Sequence, residues 1–146
     1  MWKFVEDMSS SVPDAVKEDI LERLREHVEE NYIGRYEVRD VVAEWKKGFL
    51  YINWIEGMPE DQLEELTEEL PDKAKKLHQK LMENDRKHPD RLCRLKYTGD
   101  KDNLELQIYK YSDSCYDTHN EFPFHRGTVE ECFDAAASLY ITRTFP

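Results

Sequence analysis

Glycine is scarce in this chain, with 5 in 146 residues, and the five are scattered rather than gathered into a phosphate-cradling loop. Nucleotide chemistry built on such a loop is therefore not expected. The 3 cysteines, Cys93, Cys115 and Cys132, are too few and too dispersed for a disulfide framework, and an odd count fits a reducing compartment. No stretch approaches the roughly 18 consecutive apolar residues of a membrane span. The opening Met1-Trp2-Lys3-Phe4-Val5-Glu6-Asp7 lacks the apolar run of a secretory signal. These absences lead us to expect a cytoplasmic protein with no membrane association. No linker or low-complexity tract divides the chain, which reads as one domain over residues 1–146, with 1–10 as a tail or short edge segment.

Charge is abundant and sorted. The formal net charge is -11, which argues against nucleic acid and anionic membranes as partners and in favour of basic protein surfaces. From Gly48 to Asp72 there are eight acidic residues and no Lys or Arg; from Lys73 to Lys96 there are nine bases against three acids. Acids at the start and bases at the end of a helix suit its dipole, and Glu69 with Lys73 and Asp72 with Lys76 add favourable four-residue pairs. Glu60, Glu64 and Glu68, like Asp61, Glu65 and Glu69, are instead like charges four apart, so stability alone does not account for them.

Apolar spacing predicts a fold of α+β class. Val16, Ile20, Leu21, Leu24 and Val28 mark one helical face that ends near Gly34. Ser11 with Asp14 resembles a capping box for that helix. Tyr36 to Trp45 alternates with a change of parity at Asp40-Val41 that a bulge reconciles, and Phe49 to Ile55 returns after the turn Lys46-Lys47-Gly48. Leu63, Leu66, Leu70, Ala74, Leu77 and Leu81 form a helical stripe through Pro71, where the helix either kinks or gives way to a second one. A second hairpin pairs Leu92–Tyr97 with Leu104–Tyr111, and Thr128 with Glu131 opens a terminal helix. The expected architecture is two-layer, an antiparallel sheet of about four strands in two hairpins with three helical regions, in the order α-ββ-α-ββ-α.

Chemistry-bearing residues gather in the loop from Ser112 to Gly127. Cys115, His119 and His125 are the ligand types zinc prefers, and Cys132 follows after six intervening residues. Their Cys-x3-His-x5-His spacing differs from the short paired spacings of structural zinc modules. A thiol-dependent enzyme would use the same residues, Cys115 as thiolate, His119 or His125 as base and Asp113 or Asp117 to orient it. No oxyanion-supplying turn follows Cys115, and a loop of this length also reads as an Ω-type loop pinned by Phe122-Pro123-Phe124.

The function expected from these readings is that of a non-enzymatic acidic binding protein docking a basic protein surface: an antagonist, an immunity-type inhibitor, or a chaperone or adaptor. By analogy with secretion chaperones of this general build, the last form would be a homodimer. Its contact residues are expected in the acidic helix start, Glu60, Asp61, Glu64, Glu65 and Glu68, and on the sheet face away from the helices, Tyr109 and Tyr111. The alternatives are a small zinc-binding module using the 112–127 loop and a small thiol-dependent enzyme.

Overall fold

The computed structural model describes residues 12–36, 38–57, 65, 68–87, 89–118 and 125–142. Along them run helix α1 (Asp14–Asn31), strands β1 (Val38–Lys46) and β2 (Phe49–Glu56), helix α2 (Asp72–Lys87), strands β3 (Asp90–Lys96), β4 (Leu104–Lys110), β5 (Cys115–Tyr116) and β6 (Arg126–Gly127), and helix α3 (Val129–Tyr140). The sheet is antiparallel in the order β1-β2-β3-β4-β5, with β6 also paired to β4. No helix among the described residues is long and apolar enough to cross a membrane.

Local chemistry accounts for most element boundaries. Thr128 caps α3 in both directions: its hydroxyl accepts from the Glu131 N–H at 3.2 Å, and the Glu131 carboxylate accepts from the Thr128 N–H at 3.1 Å. At α1 the N-cap is Pro13, with no side-chain cap bond, and Ser11 lies outside the described residues. The β1–β2 hairpin closes through Lys47 (φ 52) and Gly48 (φ 82), the paired positive angles a two-residue turn of type I′ demands. The parity change read at Asp40-Val41 is a bulge at Arg39, between the partnered residues Val38 and Asp40, and it keeps both Val38 and Val41 buried. A second bulge, opposite Ile52 and Asn53 of β2, leaves the consecutive Leu92 and Cys93 of β3 both buried.

The core lies between one face of the sheet and the pair α1 and α3. Val41, Ala43, Trp45, Leu50, Ile52, Leu95, Leu104, Leu106 and Ile108 meet Ile20, Leu24 and Val28 of α1 and Val129, Phe133 and Ala136 of α3. The buried indole of Trp45 donates to the Lys17 carbonyl at 3.2 Å, so its one polar atom is satisfied where it enters the core.

One expectation is corrected. The sheet has six strands rather than about four, because the two ends of the 112–127 loop add β5 and β6 to the outer edge of β4. Each is two residues long, below the length at which alternation can register, yet together with the Asp117 N–H to Ile108 carbonyl bond (2.7 Å) and the Leu106 N–H to His125 carbonyl bond (2.7 Å) they cover an otherwise open edge. At Pro71, where the sequence left open a kink or the start of a second helix, a helix begins. Pro71 stands immediately before α2, its carbonyl accepting from the Lys75 N–H at 3.0 Å, so the proline opens a helix instead of kinking one. Leu77 and Leu81 are then 61% and 57% exposed, while Ala74 and His78 are half-buried.

Candidate functional site

Strand register brings charged and aromatic side chains into rows on the sheet face opposite the core. Lys46, Phe49, Lys96 and Glu105 form the first row; Glu44, Tyr51, Arg94 and Gln107 form the second. Val42, Asn53 and Arg91 form the third, and beyond it Tyr109 of β4 partners Tyr116 of β5. Because side chains alternate faces along a strand, these positions share one surface, and each adjacent inward position feeds the core.

Arg94 organises the centre of this face. Its guanidinium carbon sits 4.4 Å from the Phe49 ring centroid, 4.6 Å from that of Tyr116 and 5.9 Å from that of Tyr51. Its Nε donates to Gln107 Oε1 at 2.6 Å and an Nη to the Tyr51 hydroxyl at 3.3 Å. Cation–π contact on several sides and two hydrogen bonds fix the group before any ligand arrives. Arg91 lies over the Tyr109 ring at 5.1 Å and donates to its hydroxyl at 3.3 Å, while the Tyr111 hydroxyl donates to the Arg91 carbonyl at 2.5 Å. Edge-on ring contacts link Tyr51 to Tyr116 (5.7 Å), Tyr116 to Tyr109 (5.0 Å) and Tyr109 to Tyr111 (4.9 Å). Desolvation pushes the Tyr116 phenol above its ordinary pKa against the opposing pull of Arg91, and desolvation with the nearby Asp90 charge pushes Tyr111 up to about 12. Both phenols stay neutral donors at physiological pH.

A shallow cleft of about 400 Å³ opens on this face, lined among the described residues by Glu44, Lys46, Tyr51, Asn53, Arg91 and Tyr116. Asn53 Oδ1 is buried there without a hydrogen-bond partner. Among the described residues no carboxylate lies within 4.0 Å of Lys46, Arg91 or Arg94, and no basic group lies within that distance of Glu44. Charges of both signs and an orphaned acceptor thus converge on one concavity.

The residues singled out from sequence fall in several places. Tyr109 faces outward but is only 7% exposed, covered by its ring and arginine neighbours, whereas Tyr111 beside it is 49% exposed. Glu65 and Glu68 are exposed; Glu60, Asp61, Glu64 and His119 lie outside the described residues. Cys115 is exposed opposite Lys110, and His125 is exposed where its carbonyl meets Leu106, so the two sit about 13 Å apart along the edge of β4 and are not brought together. Cys132 is buried with its thiol 3.7 Å from the Leu104 and Gly127 carbonyls, and desolvation pushes its pKa up to about 12, which makes it a core side chain rather than a thiolate ligand. Burial likewise raises the thiol pKa of the wholly buried Cys93 well above its ordinary value, with the nearby Cys132 adding to the shift. Asp113 is engaged by the Lys110 ammonium at 3.0 Å. Among the described residues no three His, Cys, Asp or Glu side chains converge as a metal site would require.

Phe49, Asn53, Arg91 and Arg94 were not singled out from the sequence. The signal available was the basic set Arg91, Arg94 and Lys96 in an apolar strand, but strict alternation puts Arg91 on the face opposite Arg94 and Lys96, and only the bulge at Leu92 brings all three to one face. Comparison with protein families, curated proteins and solved structures found no match for this chain.

Proposed function

We propose that this chain is a non-enzymatic binding protein that docks a protein partner through the outer face of its sheet. The observation that carries this reading is the half-exposed cluster of Phe49, Tyr51, Arg94 and Tyr116, rigid aromatic area with polar tips around a guanidinium already held in place. Aromatic residues and arginine are the side chains most enriched in protein interfaces, because they bring much contact area with little remaining freedom to lose. The net charge of -11 adds long-range attraction toward a partner whose own surface is basic overall. Glu65 and Glu68, exposed before α2, supply acidic contacts for the same partner.

The test is a pull-down from the native extract with three baits: the wild type, the outer-face variant Tyr51→Ser, and Glu18→Lys on the opposite layer. A specific partner should be retained by the wild type and by Glu18→Lys, lost with Tyr51→Ser, and released as salt rises. Direct titration of the purified partner then repeats the ranking. Equal retention by all three baits, or retention of nothing, rules out the outer face as the docking surface.

A further inference from the structure

We infer that the cleft between β1, β2 and β3 is the seat of an acidic peptide segment of the partner, with Lys46 and Arg91 taking its carboxylates and Asn53 with Glu44 taking its backbone N–H groups. This rests on the reading of the outer face as a docking surface and names what that surface recognises. Charge balance is the first support. Lys46 and Arg91 line the cleft and Arg94 lies next to it, and none of the three has a carboxylate partner among the described residues, in a chain that is otherwise strongly acidic. Arg91 is held by Tyr109, so a carboxylate arriving there meets an oriented guanidinium and not a freely moving one.

The second support is the unpartnered Asn53 Oδ1. A buried acceptor without a donor costs free energy that a ligand N–H would recover. Inorganic phosphate at neutral pH offers little donor capacity, whereas an extended peptide offers an N–H at every residue. Openness is the third. Small organic ligands are enclosed on most of their surface, and a shallow trough across strands suits a chain that passes through it. The distant acids of this protein do not forbid the match, because the Debye length is about 8 Å at physiological ionic strength and the contacts at Lys46 and Arg91 act at much shorter range. A partner satisfying both this cleft and the overall charge carries an acidic segment on a basic surface.

Isotope-labelled full-length protein titrated with octaglutamate, octalysine and inorganic phosphate, each followed by amide and side-chain NMR shifts, tests the assignment. Octaglutamate should shift Lys46, Tyr51, Asn53 and Arg91, and Lys46→Glu and the isosteric Asn53→Asp should each weaken its binding about tenfold or more while the spectrum of the free protein stays dispersed. Octaglutamate binding that survives both substitutions, or shifts that fall elsewhere, overturns the inference. Octalysine occupying the cleft overturns its sign but leaves the outer face as a docking surface. Phosphate competing at equal concentration reduces the cleft to an anion site and overturns the peptide. If no probe shifts the cleft the inference also fails, and the docking surface then stands or falls on the Tyr51→Ser pull-down.

Discussion

Asp134 ties α3 to α1 through a single oxygen: Oδ1 accepts from the Tyr32 hydroxyl at 2.6 Å and lies 2.7 Å from His27 Nε2. The Tyr32 ring meanwhile packs edge-on against Phe133 at 4.8 Å, so its apolar part joins the core while its tip reaches the carboxylate. Desolvation, then the hydrogen bond and charge of Asp134, raise the Tyr32 pKa far above the ordinary 10.0. A group that holds its proton more tightly when folded contributes stability that is fully present below its unfolded pKa and is lost as pH rises beyond it. Stability in urea should therefore fall between about pH 9 and about pH 11, and Tyr32→Phe, which keeps the ring and removes the titrating proton, should flatten that fall. An unchanged slope in Tyr32→Phe would show that other groups, Tyr111 among them, carry the alkaline loss. None of this coupling was legible in the sequence. His27, Tyr32 and Asp134 are separated by up to 107 residues, and no local pattern encodes a bond across that distance.

At the level of elements, the parts legible in the sequence were those whose periodicity is long enough to count. The α1 face, the Thr128–Glu131 cap and the two hairpins each rest on several residues in register, and each stands where the spacing put it. What could not be read has two physical causes. Two-residue strands such as β5 and β6 are specified by the edge they cover and not by their own composition. A leucine stripe, for its part, reports a helix but not whether anything covers it. Leu77 and Leu81 make that distinction measurable. Leu77→Ala and Leu81→Ala should each change folding stability by no more than about 0.5 kcal/mol, whereas Leu24→Ala, at 0% exposure on α1, should cost about 2–5 kcal/mol. Denaturant midpoints at constant m-value decide it, and a loss above about 2 kcal/mol at Leu77 would mean that α2 is covered. The outer face lay between these extremes: its tyrosines were visible as a class, but the arginines that organise them were hidden by the bulge at Leu92.

For the whole molecule, the balance of charge sets how stability responds to salt. Local ion pairs exist, among them the Arg23 fork to Glu130 (3.0 Å) and Asp102 (2.8 Å), Lys101 to Asp19 and Lys110 to Asp113. All are at least partly solvent-exposed, so each is worth about 0–1 kcal/mol and is weakened by salt. Against them stands the mutual repulsion of the net charge of -11, which destabilises the folded state and is itself screened by salt. The repulsion grows roughly with the square of the net charge while the pairs add singly, so repulsion should prevail at neutral pH. The urea midpoint at pH 7 should then rise as sodium chloride goes from about 10 mM to about 150 mM, urea being chosen because it carries no charge of its own. Near the isoelectric point of 4.9 the net repulsion vanishes and only the pairs remain, so the same addition of salt should leave the midpoint unchanged or lower it. A midpoint that falls with salt at pH 7 would show that the Arg23 fork and its neighbours outweigh the net charge. In that case the acidity of the chain would impose no measurable cost on its fold.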